Sequence, residues 1–158
     1  MILFHGSNVV VKEPRLIAHN RLLDFGDGFY TTINKEQAIN FAQKVKRNKG
    51  GKAILNVYEL NEQNLKGLKV KEFDGPNDKW LDFISANRNG TYKGEKYDVI
   101  IGPVADDDVY QTLQVYASGI LTKEQALEAL KIKKLYNQFV FASNDALKAI
   151  KFLKMEEH

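Results

Sequence analysis

The chain has 158 residues, of which 44% are hydrophobic and 27% charged, with 23 basic against 20 acidic side chains. That length suits one domain with one core, and the charge is too evenly balanced to mark a nucleic-acid-binding protein by itself. Cysteine is absent, which excludes disulfides, thiolate catalysis and zinc–thiolate centres. The longest apolar runs, such as Val99-Ile100-Ile101, fall far short of the roughly 18 residues a membrane span needs. The N-terminus lacks the basic and apolar regions of a signal peptide, so a soluble cytoplasmic protein is expected.

In chain order, Ile2 to His5 is a predicted strand and Arg15 to Ala18 a short extended piece. Phe29 to Thr32 follows a Gly26-Asp27-Gly28 turn, and Asn34 is placed to cap a helix with Ala38, Phe41, Ala42 and Val45 on one face. Ala53 to Leu60 and Leu68 to Phe73 read as strands. A helix from about Asn77 gathers Trp80, Phe83 and Ile84 and closes at the Asn89-Gly90 turn. Tyr97 to Ile101 is a strand ended by Gly102-Pro103. Two helices follow, one from Asp106 to Gly119 and one opened by a Thr122/Gln125 capping box. Tyr136 to Ala142 is the last predicted strand. Ser143 or Asn144 then caps a final helix carrying Leu147, Ile150 and Leu153 at three-residue spacing. No repeat or linker divides the chain, so residues 1–158 are expected to form one domain. The irregular interleaving of strands and helices favours an α+β fold over a doubly wound parallel sheet.

Three segments carry candidate chemistry. His5-Gly6-Ser7 offers two polar side chains around a glycine that lets a ligand amide approach the backbone. Gly28-Phe29-Tyr30-Thr31-Thr32 puts an aromatic residue on a strand eleven positions before Phe41, and two such rings can sandwich a planar ring. Tyr136-Asn137-Gln138-Phe139-Val140-Phe141 places an amide at an apolar strand's start. Each segment has a purely structural explanation when taken alone.

In this order the three resemble the ADP-ribosyltransferase superfamily, on the branch of the poly(ADP-ribose) polymerases and diphtheria-type toxins with its His-Tyr-Glu triad. The resemblance implies a split mixed β-sheet with flanking helices, and NAD as substrate. It implies that His5, Gly6 and Ser7 bind the adenosine-side ribose and the nicotinamide amide, that Tyr30 stacks on nicotinamide and that Phe41 packs on its other face. Gln138 falls where the family carries its catalytic glutamate, making His5, Tyr30 and Gln138 the implied catalytic set. The chain is also similar to small bacterial domains of this superfamily encoded beside a partner in toxin–antitoxin fashion, which implies an antitoxin or immunity protein as partner.

Two departures limit what is implied. Losing one preorganised electrostatic contact costs roughly a hundred- to a thousandfold in rate, so Gln138 weakens transfer of one ADP-ribose unit without forbidding it. Chain elongation needs a general base, which an amide cannot be. Ala38 replaces a serine that bonds the carboxamide in the polymerases, a loss of about 0.5–1.5 kcal/mol.

Asp107 and Asp108, with Asp106, are candidate substitute acids, although acids at a helix start also serve its dipole. Asp24 and Asp27 are further candidates, with turn formation as the competing role. Arg21 is a candidate for the NAD diphosphate, as are Arg15 and Arg88. Lys44, Lys46, Arg47, Lys49 and Lys52 form a basic group around Gly50-Gly51, which a solvated helix end explains and which phosphate contact would also explain. The three histidines lack metal-ligand spacing, so no metal is expected. The expected activity is mono-ADP-ribosylation of a protein or nucleic-acid acceptor by a toxin or defence effector. The alternative is an inactive NAD- or ADP-ribose-binding module acting through a partner, and removal of a 2′-phosphate from RNA ranks last.

Overall fold

The structure, a computed structural model, describes residues 1–16, 23–103, 107–131 and 135–158. Its elements are β1 (Ile2–Ser7), β2 (Phe29–Thr32), α1 (Lys35–Lys49), β3 (Ile54–Leu60), a 3-10 turn (Glu62–Leu65) and β4 (Val70–Glu72), then α2 (Asp78–Arg88), β5 (Val99–Pro103), α3 (Asp107–Ala117), α4 (Lys123–Lys131), β6 (Asn137–Phe141), α5 (Asn144–Leu147) and β7 (Ile150–Glu157). The chain is therefore α+β, with one mixed sheet of seven strands in the order β4-β5-β6-β2-β1-β3-β7. Among the described residues only β4 and β5 pair in parallel.

Side chains at the helix starts fix several of these boundaries. Asn34, Asn77 and Ser143 accept hydrogen bonds from the backbone N–H groups of Gln37, Trp80 and Ala146 at 2.8, 3.0 and 3.1 Å, satisfying donors that a helix cannot satisfy itself. The Thr122/Gln125 box closes in both directions, at 3.1 and 2.9 Å.

The end of the chain departs from expectation. The helix begun at Ser143 stops at Leu147, and Ile150 and Leu153 lie in β7, which pairs with β3 over its whole length. Two periodicities coincide here, because Ile150 and Phe152 alternate as a strand requires while Leu147, Ile150 and Leu153 fit a helix. The unpaired edge of β3 decides between them by offering a full ladder of hydrogen bonds. β5 begins at Val99 and takes in Gly102-Pro103, two residues later than the sequence suggests, and the Leu68–Phe73 strand shrinks to Val70–Glu72.

Side chains alternate across a strand, so the register assigns each residue a face. On one face Ile100 and Val140 meet Trp80, Leu81 and Ile84 of α2 and helices α3 and α4, while Leu55 and Val57 lie under Ala38 of α1. On the other, Leu3, Phe29, Tyr58, Phe139 and Phe141 form a second core with Ala146 and Ala149. The first face carries two separate helical covers. β2 lies between them, with Tyr30 packed against the first cover and Thr32 bonded to Gln37 of α1.

Candidate functional site

β2 is bordered very differently on its two sides. Four successive pairs join it to β6, from Phe29↔Phe141 to Thr32↔Gln138. Only Phe4↔Thr32 joins it to β1. The hydrogen-bond phase shows what this leaves open. Met1 and Leu60 exchange both backbone bonds, at 3.2 and 2.8 Å, and such pairs recur at every second residue of an antiparallel ladder. Leu3, His5 and Ser7 therefore bond to β3, while the N–H and C=O of Phe4 and Gly6 point toward β2. Phe4 finds Thr32 there. Gly6 falls opposite Tyr30, where no pairing continues.

His5 occupies part of that interrupted position. Its Nδ1–H donates to the Tyr30 carbonyl at 2.7 Å, the oxygen that a continued ladder would give to Gly6. The ring lies against Phe29, with centroids 4.3 Å apart. Burial holds the His5 pKa below its usual value, against the smaller opposing effect of the Tyr30 carbonyl, so near neutral pH the imidazole is uncharged. With Nδ1 donating, Nε2 is a hydrogen-bond acceptor.

Gly6 is required for a packing reason as well. A Cβ there would collide with the Ala38 carbonyl oxygen and stand 2.8 Å from the Ala42 nitrogen. Helix α1 thus rests directly on the backbone of β1, and Ala38 and Ala42 are its buried residues. Phe41, expected on the core face, is instead 46% exposed beside them.

On the helical face of β2 and β6, Tyr30, Thr32 and Gln138 lie together, with Thr32 directly opposite Gln138. Gln138 is only 4% exposed, and its Nε2 has no hydrogen-bond partner. A buried amide donor left unpaired costs about 1–3 kcal/mol, which is tolerated where a ligand supplies the acceptor. Thr32 donates its hydroxyl proton to Gln37 Oε1 at 2.7 Å, which holds the start of α1 beside this row.

The Tyr30 hydroxyl is already committed. It donates to the Gly26 carbonyl at 2.6 Å and accepts from the Phe25 N–H at 3.0 Å, and burial raises its pKa far above the ordinary phenol value. It is a brace for the turn before β2 and no source of protons. Arg88 donates through Nε to buried Asp24 in the same turn. This removes Arg88 as a free diphosphate ligand and Asp24 as a free base, because each neutralises the other.

The site residues are thus brought together in part. Gly6, Tyr30 and Gln138 share the helical face of the sheet around the interrupted pairing, and Phe41 is exposed on α1, the helix over that face; alternation puts His5 and Ser7 on the opposite face, and His5 reaches the interrupted position only through its bond to the Tyr30 carbonyl. Ser7 Oγ accepts from the Val9 N–H at 3.3 Å. Arg21 and Asp106 lie outside the described residues, as do the side chains of Asp107 and Asp108, although their backbone opens α3. Asp27 and Arg15 touch none of these groups in any bond found among the described residues. No cluster of metal-ligating side chains occurs among them either.

Sequence reasoning missed Asn56. It is fully buried beside His5 on β3, accepts from the Val11 N–H at 2.9 Å and donates to the Val9 carbonyl at 3.2 Å. Tyr58 adds a bond to the Val11 carbonyl at 2.6 Å. Together they fasten the segment that leaves His5-Gly6-Ser7. The signal was an asparagine inside the apolar run Ile54-Leu55-Asn56-Val57, where a polar side chain needs partners.

Residues 1–152 match the model of a family described as a protein of unknown function, DUF3990. The chain belongs to this family. The match takes in β1, β2 and β6 and ends within β7, so the interrupted ladder lies wholly within the family's extent. No curated protein matches the chain. Among the described residues no helix is long and apolar enough to cross a membrane.

Proposed function

We propose that the chain is an NAD-dependent mono-ADP-ribosyltransferase with an ADP-ribosyltransferase-like fold. The observation that carries this reading is the interrupted ladder, which turns one N–H and one C=O of Gly6 toward an unpaired position beside Tyr30, with Gln138 on the same face and Phe41 exposed on the helix that covers it. A primary carboxamide presents one acceptor and a pair of donors, the complement of that backbone pair. Nicotinamide would take this position with Phe41 against its ring. The neutral His5 would accept a ribose hydroxyl at Nε2, and the unpartnered Gln138 Nε2 would donate to a ribose oxygen.

The reaction breaks the bond between nicotinamide nitrogen and ribose C1′, releases nicotinamide, and forms a bond from C1′ to an acceptor nucleophile that gives up its proton. Gln138 orients the ribose with a dipole where a carboxylate would stabilise developing positive charge, so turnover is slow, by about a hundred- to a thousandfold against a glutamate enzyme. With no base at that position, transfer stops at one unit. The acceptor is a protein side chain or a nucleic acid. The toxin or effector role, with an antitoxin as partner and a cytoplasmic setting, rests on the resemblance alone.

Incubation with NAD labelled in the adenosine portion and a cell lysate tests this. Labelled acceptor with one equivalent of free nicotinamide is expected, and Phe41→Ala should lose most of both, since that exposed ring can be removed without opening the core. The inactive-module alternative draws on the same amide, which cannot accept a proton. NAD binding without nicotinamide release would establish it in place of the transferase.

A further inference from the structure

No acidic residue occurs between Glu36 and Glu59, and within that stretch Lys44, Lys46, Arg47, Lys49 and Lys52 lie on or just beyond the last two turns of α1. The helix dipole accounts for cations only in the final turn, which holds Lys46, Arg47 and Lys49. Lys52 lies beyond that turn. Lys46, Arg47 and Lys49 form no ion pair among the described residues, and Lys52 has only an exposed contact with Glu157 at 3.9 Å. The placement of this basic end matters more than its charge. Asn8 Nδ2 donates to the Gly50 carbonyl at 3.4 Å, which ties the end of α1 to the residue after Ser7. One turn before Lys44, Phe41 leaves nearly half its surface in solvent.

We propose that this end of α1 binds single-stranded nucleic acid, the cations taking successive phosphates and the outer part of Phe41 offering a stacking surface to a base. A run of cations without intervening acids, beside an exposed aromatic residue, suits an unpaired strand, whose bases are free to stack, better than a duplex. As the acceptor class for the transferase, the assignment rests on the reading given above. As a binding surface it stands without it.

Fluorescence anisotropy of a labelled single-stranded oligonucleotide with the full chain, in the absence of NAD, is the test. Binding should weaken with salt, and the triple charge reversal Lys46→Glu, Arg47→Glu, Lys49→Glu should reduce the slope of log affinity against log salt by about 2, at roughly 0.7 per phosphate contact. Phe41→Ala should weaken binding about tenfold and leave the slope unchanged. Reversal of the exposed Lys66, Lys93 and Lys96 should change neither. An unchanged slope in the first triple variant would overturn the proposal, as would equal affinity for duplex. Competition by poly-glutamate on equal terms per charge would replace nucleic acid with an acidic protein and likewise overturn it. Oligonucleotide binding as described, in a chain that releases no nicotinamide from NAD, would remove the transferase reading and leave the surface in place.

Discussion

The two borders of β2 use the same backbone chemistry to opposite ends. Toward β6, every residue of β2 has a registered partner, and Phe29 and Phe141 lie in the second core. Toward β1, pairing ends after Phe4↔Thr32, a histidine ring occupies one ladder acceptor, and Gly6 is left without a strand partner. Completed ladders make a rigid wall, while an interrupted one presents oriented donors and acceptors at no further reorganisation. The difference puts stability on the sealed border and leaves the open one with backbone groups for the proposed ligand.

The sealed border should yield the largest stability loss. Phe141 is fully buried, and Phe141→Ala is expected to cost about 3–5 kcal/mol, read as a lower midpoint in urea with an unchanged m-value. A loss under about 1 kcal/mol would mean that this border is not the rigid one. The open border is sensitive to added volume. Gly6→Ala should cost about 1–3 kcal/mol, because the methyl group meets helix backbone that cannot rotate away. It should also abolish NAD binding, as measured by calorimetry, in protein that remains folded at low temperature.

Gln138→Leu is expected to separate the two properties. If the unpaired Nε2 is held for a ligand, its removal stabilises the free protein by about 1 kcal/mol while NAD affinity falls. Stabilities and affinities that fall together would instead give Gln138 a structural role.

Much of the sealed border was legible in the sequence. Its apolar runs, like the asparagine and serine caps and the Thr122 box elsewhere in the chain, depend on neighbours within a few residues, so local pattern determines them. The open border was legible only as motifs. That Gly6 lacks a partner depends on the phase of the β1–β3 ladder, and that depends on a strand fifty residues away. The misreading of β7 has the same origin, since Ile150 and Leu153 satisfy a helix locally and only the free edge of β3 selects the strand. Phe41 failed differently. Its helical spacing was read correctly, but Ala38 and Ala42 bring α1 so close to Gly6 that the large ring is left at the edge.

His5 supplies the smallest expected effect and the finest probe of the interrupted position. Its pKa lies below 6.5 in the folded chain because burial disfavours the charged ring. As pH falls through 6.5 the unfolded chain takes up a proton that the native chain refuses, so stability declines on the acid side and is unaffected above it. One such proton contributes at most about 1.4 kcal/mol per pH unit. His5→Asn keeps an N–H for the Tyr30 carbonyl and does not titrate, so urea midpoints for the two proteins should diverge between pH 6.5 and 5 and run parallel above pH 7. NAD affinity should hold through that window and fall only at lower pH, where the native ring itself takes up a proton and Nε2 can no longer accept a ribose hydroxyl. Parallel midpoints throughout would place the imidazole in solvent, and the interrupted position beside Gly6 would then be open to water on both faces of the sheet.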